Sequence, residues 1–270
     1  MEYNRDYFKG KTAVVTGAAS GIGLALVEEL LESNAARVAM ADIHPGNLET
    51  HEKRLQKLHG NRVKGLLCDV TKDENVRNMI AAAATFFDNK LDLLINNAGA
   101  GFAGPFSEMG DEDWKIAFDL NFYSALYGMR AALPLMLKQG SGQIINIISG
   151  IAFIPMAYQS RYAATKAALN ALSITLRSEY WDENIKISSA TPGTTATAIW
   201  GDMKPPESAQ SPRQSASRIL NGIANNDRVI FGDDPDIQGA AESYDYQKQA
   251  GMDEYLLHVA RQRRKGIAAV

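Results

Sequence analysis

Thr16-Gly17-Ala18-Ala19-Ser20-Gly21-Ile22-Gly23 is the stretch on which the fold turns. A β-rich apolar run over 11–16 leads into it, and a helical pattern follows, with Ile22, Leu26 and Leu30 on one face. Glycines at such a junction let backbone amides approach a ligand, and the helix N-terminus favours an anion, so the turn fits a pyrophosphate. Because the glycines stand at 17, 21 and 23, the G-x-G-x-x-G spacing is absent, and glycines in a tight turn can also serve packing alone. Asp42 favours the ligand reading. It follows the next β-rich run (37–41), nineteen positions after Gly23, close to the spacing of about 20 at which a carboxylate binds an adenosine ribose. Such a carboxylate would repel a 2′-phosphate, and no Lys or Arg lies in the turn or directly after Asp42, which favours NAD over NADP. The alternative is that Asp42 starts a turn before Pro45-Gly46.

Outward from this turn, apolar runs alternate with helical patterns, the signature of βαβ units. A helix is expected over 46–59, a strand over 63–68, a helix capped by Thr71 and reaching 87, and a strand over 91–95. After a Gly-rich loop (99–104), a long helix from Asp111 to about 138 should be kinked or interrupted by Pro134. A strand over 143–148, an Ala-rich helix over 158–181, a strand over 185–190, a helix over 213–225 and a short strand over 229–231 complete the order. Strands without polar alternation imply burial on both faces, as in a parallel sheet. Pro192-Gly193 breaks the order, and 194–212 has no clean period, which suggests a mobile loop over a site. No repeat or linker divides the chain, so one domain is expected.

The chain has 270 residues, 46% hydrophobic and 22% charged, enough apolar matter for a sizeable core. Its 28 Lys and Arg against 31 Asp and Glu leave a charge of −3, no field for drawing in nucleic acid or anionic lipid. Cys68, the single cysteine, can form neither an intrachain disulfide nor a Cys-based zinc site. His44, His51, His59 and His258 make no H-E-x-x-H motif or evident triad, so no metal site is expected. The first residues are too polar for a secretory signal and no stretch reaches membrane-span length, which together point to a soluble, cytoplasmic protein.

Tyr162-Ala163-Ala164-Thr165-Lys166 puts a phenol and an ammonium four residues apart on one helix face. A nearby cation stabilises phenolate, so the pair predicts a Tyr162 pKa below the usual value of about 10, in reach of acid/base work. Alone, such a pair is more often a solvated or half-buried face. Ser149 ends a strand thirteen positions earlier, at the sheet edge where α/β folds place ligands, and could hold a substrate oxygen; otherwise it is an ordinary turn residue. A hydrolase elbow needs glycines two residues either side, where Ile147 and Ile151 stand.

Thr16 to Gly23, Asn96-Asn97-Ala98-Gly99, Asn121, Ser149, Tyr162 with Lys166, and Pro192-Gly193 together resemble the short-chain dehydrogenase/reductase family in order and spacing, over about residues 10–232. The resemblance implies an α/β Rossmann-type doubly wound parallel sheet of about seven strands in a single domain (1–232), followed by a C-terminal extension (233–270). It also implies hydride transfer between a nicotinamide and a secondary alcohol or ketone. In that scheme Tyr162 exchanges the proton and Ser149 orients the oxygen. Lys166 lowers the Tyr162 pKa and holds the nicotinamide ribose, and Asn121 retains a water leading to solvent. Gly17, Ser20, Gly21, Ile22, Gly23 and Asp42 would cradle the dinucleotide. Asp69 and Val70 would meet adenine, Asn97, Ala98 and Gly99 the adenosine side, and Pro192, Gly193, Thr195 and Thr197 the nicotinamide, with Thr194 competing for the last role.

Phe102, Ser149, Phe153, Tyr158, Trp200 and Met203 would line a largely apolar pocket with few charges, suited to an apolar alcohol or ketone; such aromatics also commonly cover core. The resemblance implies a homo-oligomer, dimer or tetramer, through the long helices beginning near 111 and 158, and no nucleic-acid or membrane partner is expected. The extension, rich in Tyr and ending in Arg261-Gln262-Arg263-Arg264-Lys265, is expected to be helical and to pack on the substrate loop or a neighbouring subunit. Two other classes fit the same motifs: an isomerase, epimerase or dehydratase with tightly held NAD, and a non-catalytic NAD-binding sensor. Stoichiometric NAD released on denaturation marks the first, and binding without turnover the second.

Overall fold

The computed structural model describes residues 3–201 and 204–267. Seven parallel strands form one sheet in the order β3-β2-β1-β4-β5-β6-β7: β1 (Thr12–Thr16), β2 (Arg37–Asp42), β3 (Val63–Leu67), β4 (Leu93–Asn96), β5 (Gly142–Ile147), β6 (Ile185–Thr191) and β7 (Val229–Phe231). The order reverses between β1 and β4, the switch point where doubly wound sheets open a crevice. Strands β1, β2, β4, β5 and β6 are buried almost throughout, which is why they read as continuous apolar runs.

Helices α1 (Gly21–Glu32), α2 (Pro45–His59) and α7 (Pro212–Asn225) cover one face of the sheet, with Leu26, Leu30, Leu55, Ile219 and Ile223 packed on Val15, Val38 and Ile145. Helices α3 (Asp73–Phe86), α4 (Asp111–Phe118), α5 (Ser124–Gln139) and α6 (Ser160–Glu179) lie on the other. There Met79, Ile80, Met129 and Leu169 pack on Val14, Leu94 and Ile144. Ser211 starts α7 with a reciprocal cap to Gln214, and Pro212 takes the first helical position, where its missing N–H costs nothing. Residues after β7 form α8 (Asp234–Glu242) and α9 (Gln249–Arg264).

Two local expectations are corrected. Thr71 does not cap α3, which begins after Lys72; its hydroxyl and amide instead turn back to Asp69 Oδ1 at 2.7 and 3.0 Å. The long helix is interrupted at Asn121 and not at Pro134. Residues Asp119–Tyr123 form a π-helical turn between α4 and α5, while α5 runs on through Pro134.

Candidate active site

Strand register brings the functional segments to one edge. Val15 lies beside Ile95, Asn96 beside Asn146, Asn146 beside Ser189, and Ser189 beside Val229. The segments beginning at Gly17, Asn97, Ile148, Pro192 and Gly232 therefore leave the sheet side by side at its C-terminal end. Buried polar groups fix this edge from below: Asn96 Nδ2 donates to Asn146 Oδ1 at 2.8 Å, and Asn146 Nδ2 to Ser173 Oγ at 2.9 Å.

The glycine turn is built for close approach. Gly17 and Gly21 have φ of +62° and +51°, and a Cβ on Gly23 would stand 2.1 Å from Gly17 O. Asn97 braces the turn, its Nδ2 donating to Thr16 O at 2.9 Å and Gly17 O at 3.2 Å, while the Asn97 and Ala98 amides both donate to Thr16 Oγ1 at 3.0 Å. Ser20 precedes α1 and is exposed, with no side-chain cap on that helix, so the first amides of Gly21, Ile22 and Gly23 remain available. Asp42 is 6% exposed; its Oδ2 accepts from the Ala19 amide at 2.9 Å and its Oδ1 from the His44 amide at 3.0 Å. It thus both ends β2 as a turn residue and presents a carboxylate beside the glycine turn, and these donors and this acceptor suit a dinucleotide's pyrophosphate and ribose. Asp69 and the buried Val70 lie just past β3.

Beyond Gly193 (φ +69°), the Thr195 hydroxyl is spent on Pro192 O and Gly193 O, each at 3.1 Å. Thr194 gives its amide to Asp233 Oδ2 at 2.7 Å, whereas the Thr197 methyl lies 3.4 Å from where a Gly21 Cβ would stand. Thr197 is therefore the threonine of this loop that faces the glycine turn. Gln210 pins the loop base, donating to Pro192 O at 2.7 Å and Gly232 O at 3.1 Å.

At the centre, α6 carries Tyr162 and Lys166. The Tyr162 phenol interacts with Ser149, whose Oγ also accepts from the Ile151 amide at 3.4 Å. Lys166 is buried, donates to Ile147 O at 2.9 Å, and has its Nζ 5.9 Å from the centroid of the Tyr162 ring. Asn121, 1% exposed, exchanges hydrogen bonds with both backbone groups of Ala100.

The electrostatics correct one expectation. Burial pushes the Tyr162 phenol above its usual value; Ser149 pulls it back, and the charge of Asp236 adds to the rise. Burial lowers Lys166 to about 8. The i, i+4 spacing placed a cation near the phenol, but desolvation dominates.

Of the expected pocket wall, Phe102 joins Met156, Ile151, Tyr162 and Ala163 in a small apolar cluster. Phe153 instead packs on Phe231 at 5.8 Å and against the core. Tyr158 (φ +65°) turns its hydroxyl to Arg264 Nε at 3.3 Å, Trp200 donates to Thr195 O at 2.9 Å, and Met203 lies outside the described residues.

The profile described as short chain dehydrogenase matches residues 11–208. The chain belongs to the short-chain dehydrogenase family. An uncharacterized oxidoreductase of Staphylococcus aureus (strain MRSA252) is 34% identical over 220 residues, 81% of this chain and 93% of that one. Among solved structures, a short-chain dehydrogenase/reductase from Burkholderia phymatum in complex with NAD is 25% identical with a TM-score of 0.80, over 87% of this chain and 93% of the other. L-Sorbose reductase from Gluconobacter frateurii, complexed with NADPH and L-sorbose, is 28% identical with a TM-score of 0.76, over 83% and 95%.

Two charged groups of this chain escaped the sequence reading, which expected few charges. Arg161 lies over the Phe102 ring at 5.1 Å and pairs with Asp113 at 2.6 Å. Asp236, from α8, reaches the Ser149–Tyr162 pair. The available signal was its place at the carboxyl end of β7, on the edge where ligands bind.

Proposed function

We propose that the chain is an NAD-dependent oxidoreductase acting between a nicotinamide and a secondary alcohol or ketone, with Tyr162 as general acid and base. The observation that carries this reading is the convergence of Ser149, Tyr162, Lys166 and Asn121 beside the glycine turn at one sheet edge. A bound nicotinamide would supply the hydride donor or acceptor. Tyr162 gives its proton to the carbonyl oxygen on reduction and takes one from the alcohol on oxidation, while Ser149 holds that oxygen. Lys166, fixed by Ile147 O, holds the ribose hydroxyls; Asn121, close to it across Gly99, keeps a water for return of the proton from solvent. Asp42 favours NAD through its carboxylate. The NAD and NADPH complexes of the two related structures span both choices.

The apolar cluster of Phe102, Ile151 and Met156 beside Tyr162 supports an apolar substrate body. Exposed Ile116 and Leu137 on α4 and α5, with Tyr123 between those helices, and Trp181 just after α6, support a homo-oligomer built on these helices. Among the described residues no helix is long and apolar enough to cross a membrane. The deciding experiment is a panel of secondary alcohols and ketones followed by NADH absorbance, repeated with NADP, on the parent and Tyr162→Phe. The parent turns over with NAD, and the variant loses nearly all turnover while still binding dinucleotide. Parent-like turnover by the variant sinks the mechanism.

A further inference from the structure

Asp236 is a carboxylate inside the catalytic cluster that proton transfer by Tyr162 does not consume. It is delivered by Gly232-Asp233-Asp234-Pro235-Asp236, directly after β7. Asp233 caps α8: its Oδ1 accepts from the Asp236 amide at 2.9 Å and its Oδ2 from the Thr194 amide at 2.7 Å. The first turn of α8 is thereby tied to the loop that follows Pro192-Gly193. An acidic side chain three positions after a cap commonly folds back on the helix start. The side chain of Asp236 turns inward instead.

The space it fills is made by a glycine. A Cβ on Gly150 would stand 2.0 Å from Asp236 Oδ1 and 2.8 Å from its Cγ, so the carboxylate occupies the place of a side chain next to Ser149. One turn further along α8, a Cβ on Gly239 would stand 1.9 Å from Ile154 Cδ1. The helix is thus seated on the 150–154 turn through two positions that lack side chains. Thr191 and Gly193 flank the carboxylate, yet Oδ2 is buried with no hydrogen-bond partner among the described residues. Leaving a buried carboxylate oxygen unpaired costs stability, and such costs concentrate where electrostatics are used.

The groups facing the phenol come from three elements. Lys166 stands on the same helix, with its ammonium directed to Ile147 O; Ser149 comes from the end of β5; Asp236 comes from α8, with Asp233 behind it. We propose that Asp236 is a positioning residue for the proton transfer: its charge, held against Gly150 beside Ser149, adds to burial in holding the proton on the Tyr162 phenol, ready to donate to a ketone. This rests on the reading of Tyr162 as the acid and base.

The sign follows from the local charges. Burial raises Asp236 to about 6, with Asp233 adding to the rise and Thr191 and Gly193 opposing it. It is therefore ionised where the phenol titrates, and a carboxylate there disfavours phenolate. Oxidation needs phenolate and reduction needs phenol. The two kcat/KM profiles bend at the same pH, one rising and the other falling.

The test is a tyrosinate-absorbance titration of the full chain, with Tyr162 isolated by subtracting Tyr162→Phe from the parent, and the double variant from Asp236→Asn. It runs beside the pH profile of kcat/KM for the best substrate pair of the panel. Asp236→Asn moves both the titration and the bend to lower pH and raises oxidation at pH 7 several-fold. Asp236→Ala and Asp236→Ser move them in the same direction, and carry the test if Asp236→Asn does not fold. Asp234→Asn removes an exposed carboxylate from the same turn, which pairs with Arg218 at 3.0 Å, and leaves both in place. A Tyr162 titration unmoved in the folded Asp236 variants overturns the proposal, as does an equal shift in Asp234→Asn, which would assign the effect to net charge. Absence of turnover across the panel defeats the oxidoreductase reading instead, and the absorbance titration still decides the role of Asp236.

Discussion

Asn121 grips Ala100 through both ends of its amide: Oδ1 accepts from the Ala100 N–H at 3.0 Å, and Nδ2 donates to the Ala100 C=O at 3.0 Å. The bond pair ties the loop leaving β4 to the π-helical turn between α4 and α5. Asn121→Ala leaves both backbone groups of Ala100 without these partners in a half-buried place, at a cost of about 1–3 kcal/mol. The expected result is a lower urea midpoint together with reduced turnover. A midpoint equal to that of the parent would contradict the anchoring role.

The glycine turn makes a sharper prediction, because the atom in the way is backbone. Gly23→Ala drives a methyl to 2.1 Å from Gly17 O, which the turn can relieve only by distorting the cradle. Backbone strain of about 1–3 kcal/mol, if the bound turn carries it, corresponds to about five- to 160-fold lost in dinucleotide affinity. Gly46→Ala, in the first turn of α2 with nothing near its Cβ, binds dinucleotide like the parent. Titration of NADH fluorescence compares the two. Equal affinities would refute the cradle.

What the sequence revealed, and what it hid, follows from the range of the forces involved. The central strands are legible because burial on both faces demands continuous apolar runs, and the Gly17–Gly23 turn because its chemistry is local. Tyr162 and Lys166 are legible as a pair because helix geometry alone puts them on one face. Their electrostatics are not, since spacing carries no record of burial, and burial reverses the expected direction of the Tyr162 shift. The π-helical turn at Asn121 escapes because apolar periodicity passes through it; the Asn121 amide meets Ala100 and Thr165, on other segments. Asp236 is hidden for the same reason. It meets Gly150 only after the sheet has formed.

Asp42 offers a test of cofactor choice. Its neighbour Ile43 is 53% exposed, so a cation placed there has room. In the double variant Asp42→Ala with Ile43→Arg, the repelling carboxylate is gone and a partner for a 2′-phosphate is present. The ratio of kcat/KM for NADP over NAD should rise by about tenfold or more, the scale of a charge-assisted hydrogen bond worth about 1.5–3 kcal/mol. The Ala19 and His44 amides lose their acceptor in the same variant, so overall activity falls while the ratio climbs. An unchanged ratio would remove Asp42 from cofactor selection.

Arg263, near the end of α9, braces the segment that leads into α6. Its guanidinium donates to Ala157 O at 2.9 Å and Gln159 Oε1 at 2.7 Å and meets Met156 Sδ at 3.3 Å, while Arg264 reaches the Tyr158 hydroxyl. This segment includes Tyr158 in a left-handed conformation, uncommon for an aromatic residue, and leads directly into the helix that carries Tyr162. Met156 also belongs to the apolar cluster around Tyr162. Loosening the segment should disturb the apolar cluster proposed to meet the substrate and leave the glycine turn, on the far side of the switch point, as it was. Arg263→Ala is therefore expected to raise KM for the best panel substrate several-fold, less than the roughly tenfold or more of a charge-assisted hydrogen bond lost to the substrate itself, with NADH affinity unchanged. Equal losses in KM and NADH affinity would show that α9 supports the whole domain rather than the wall beside Tyr162.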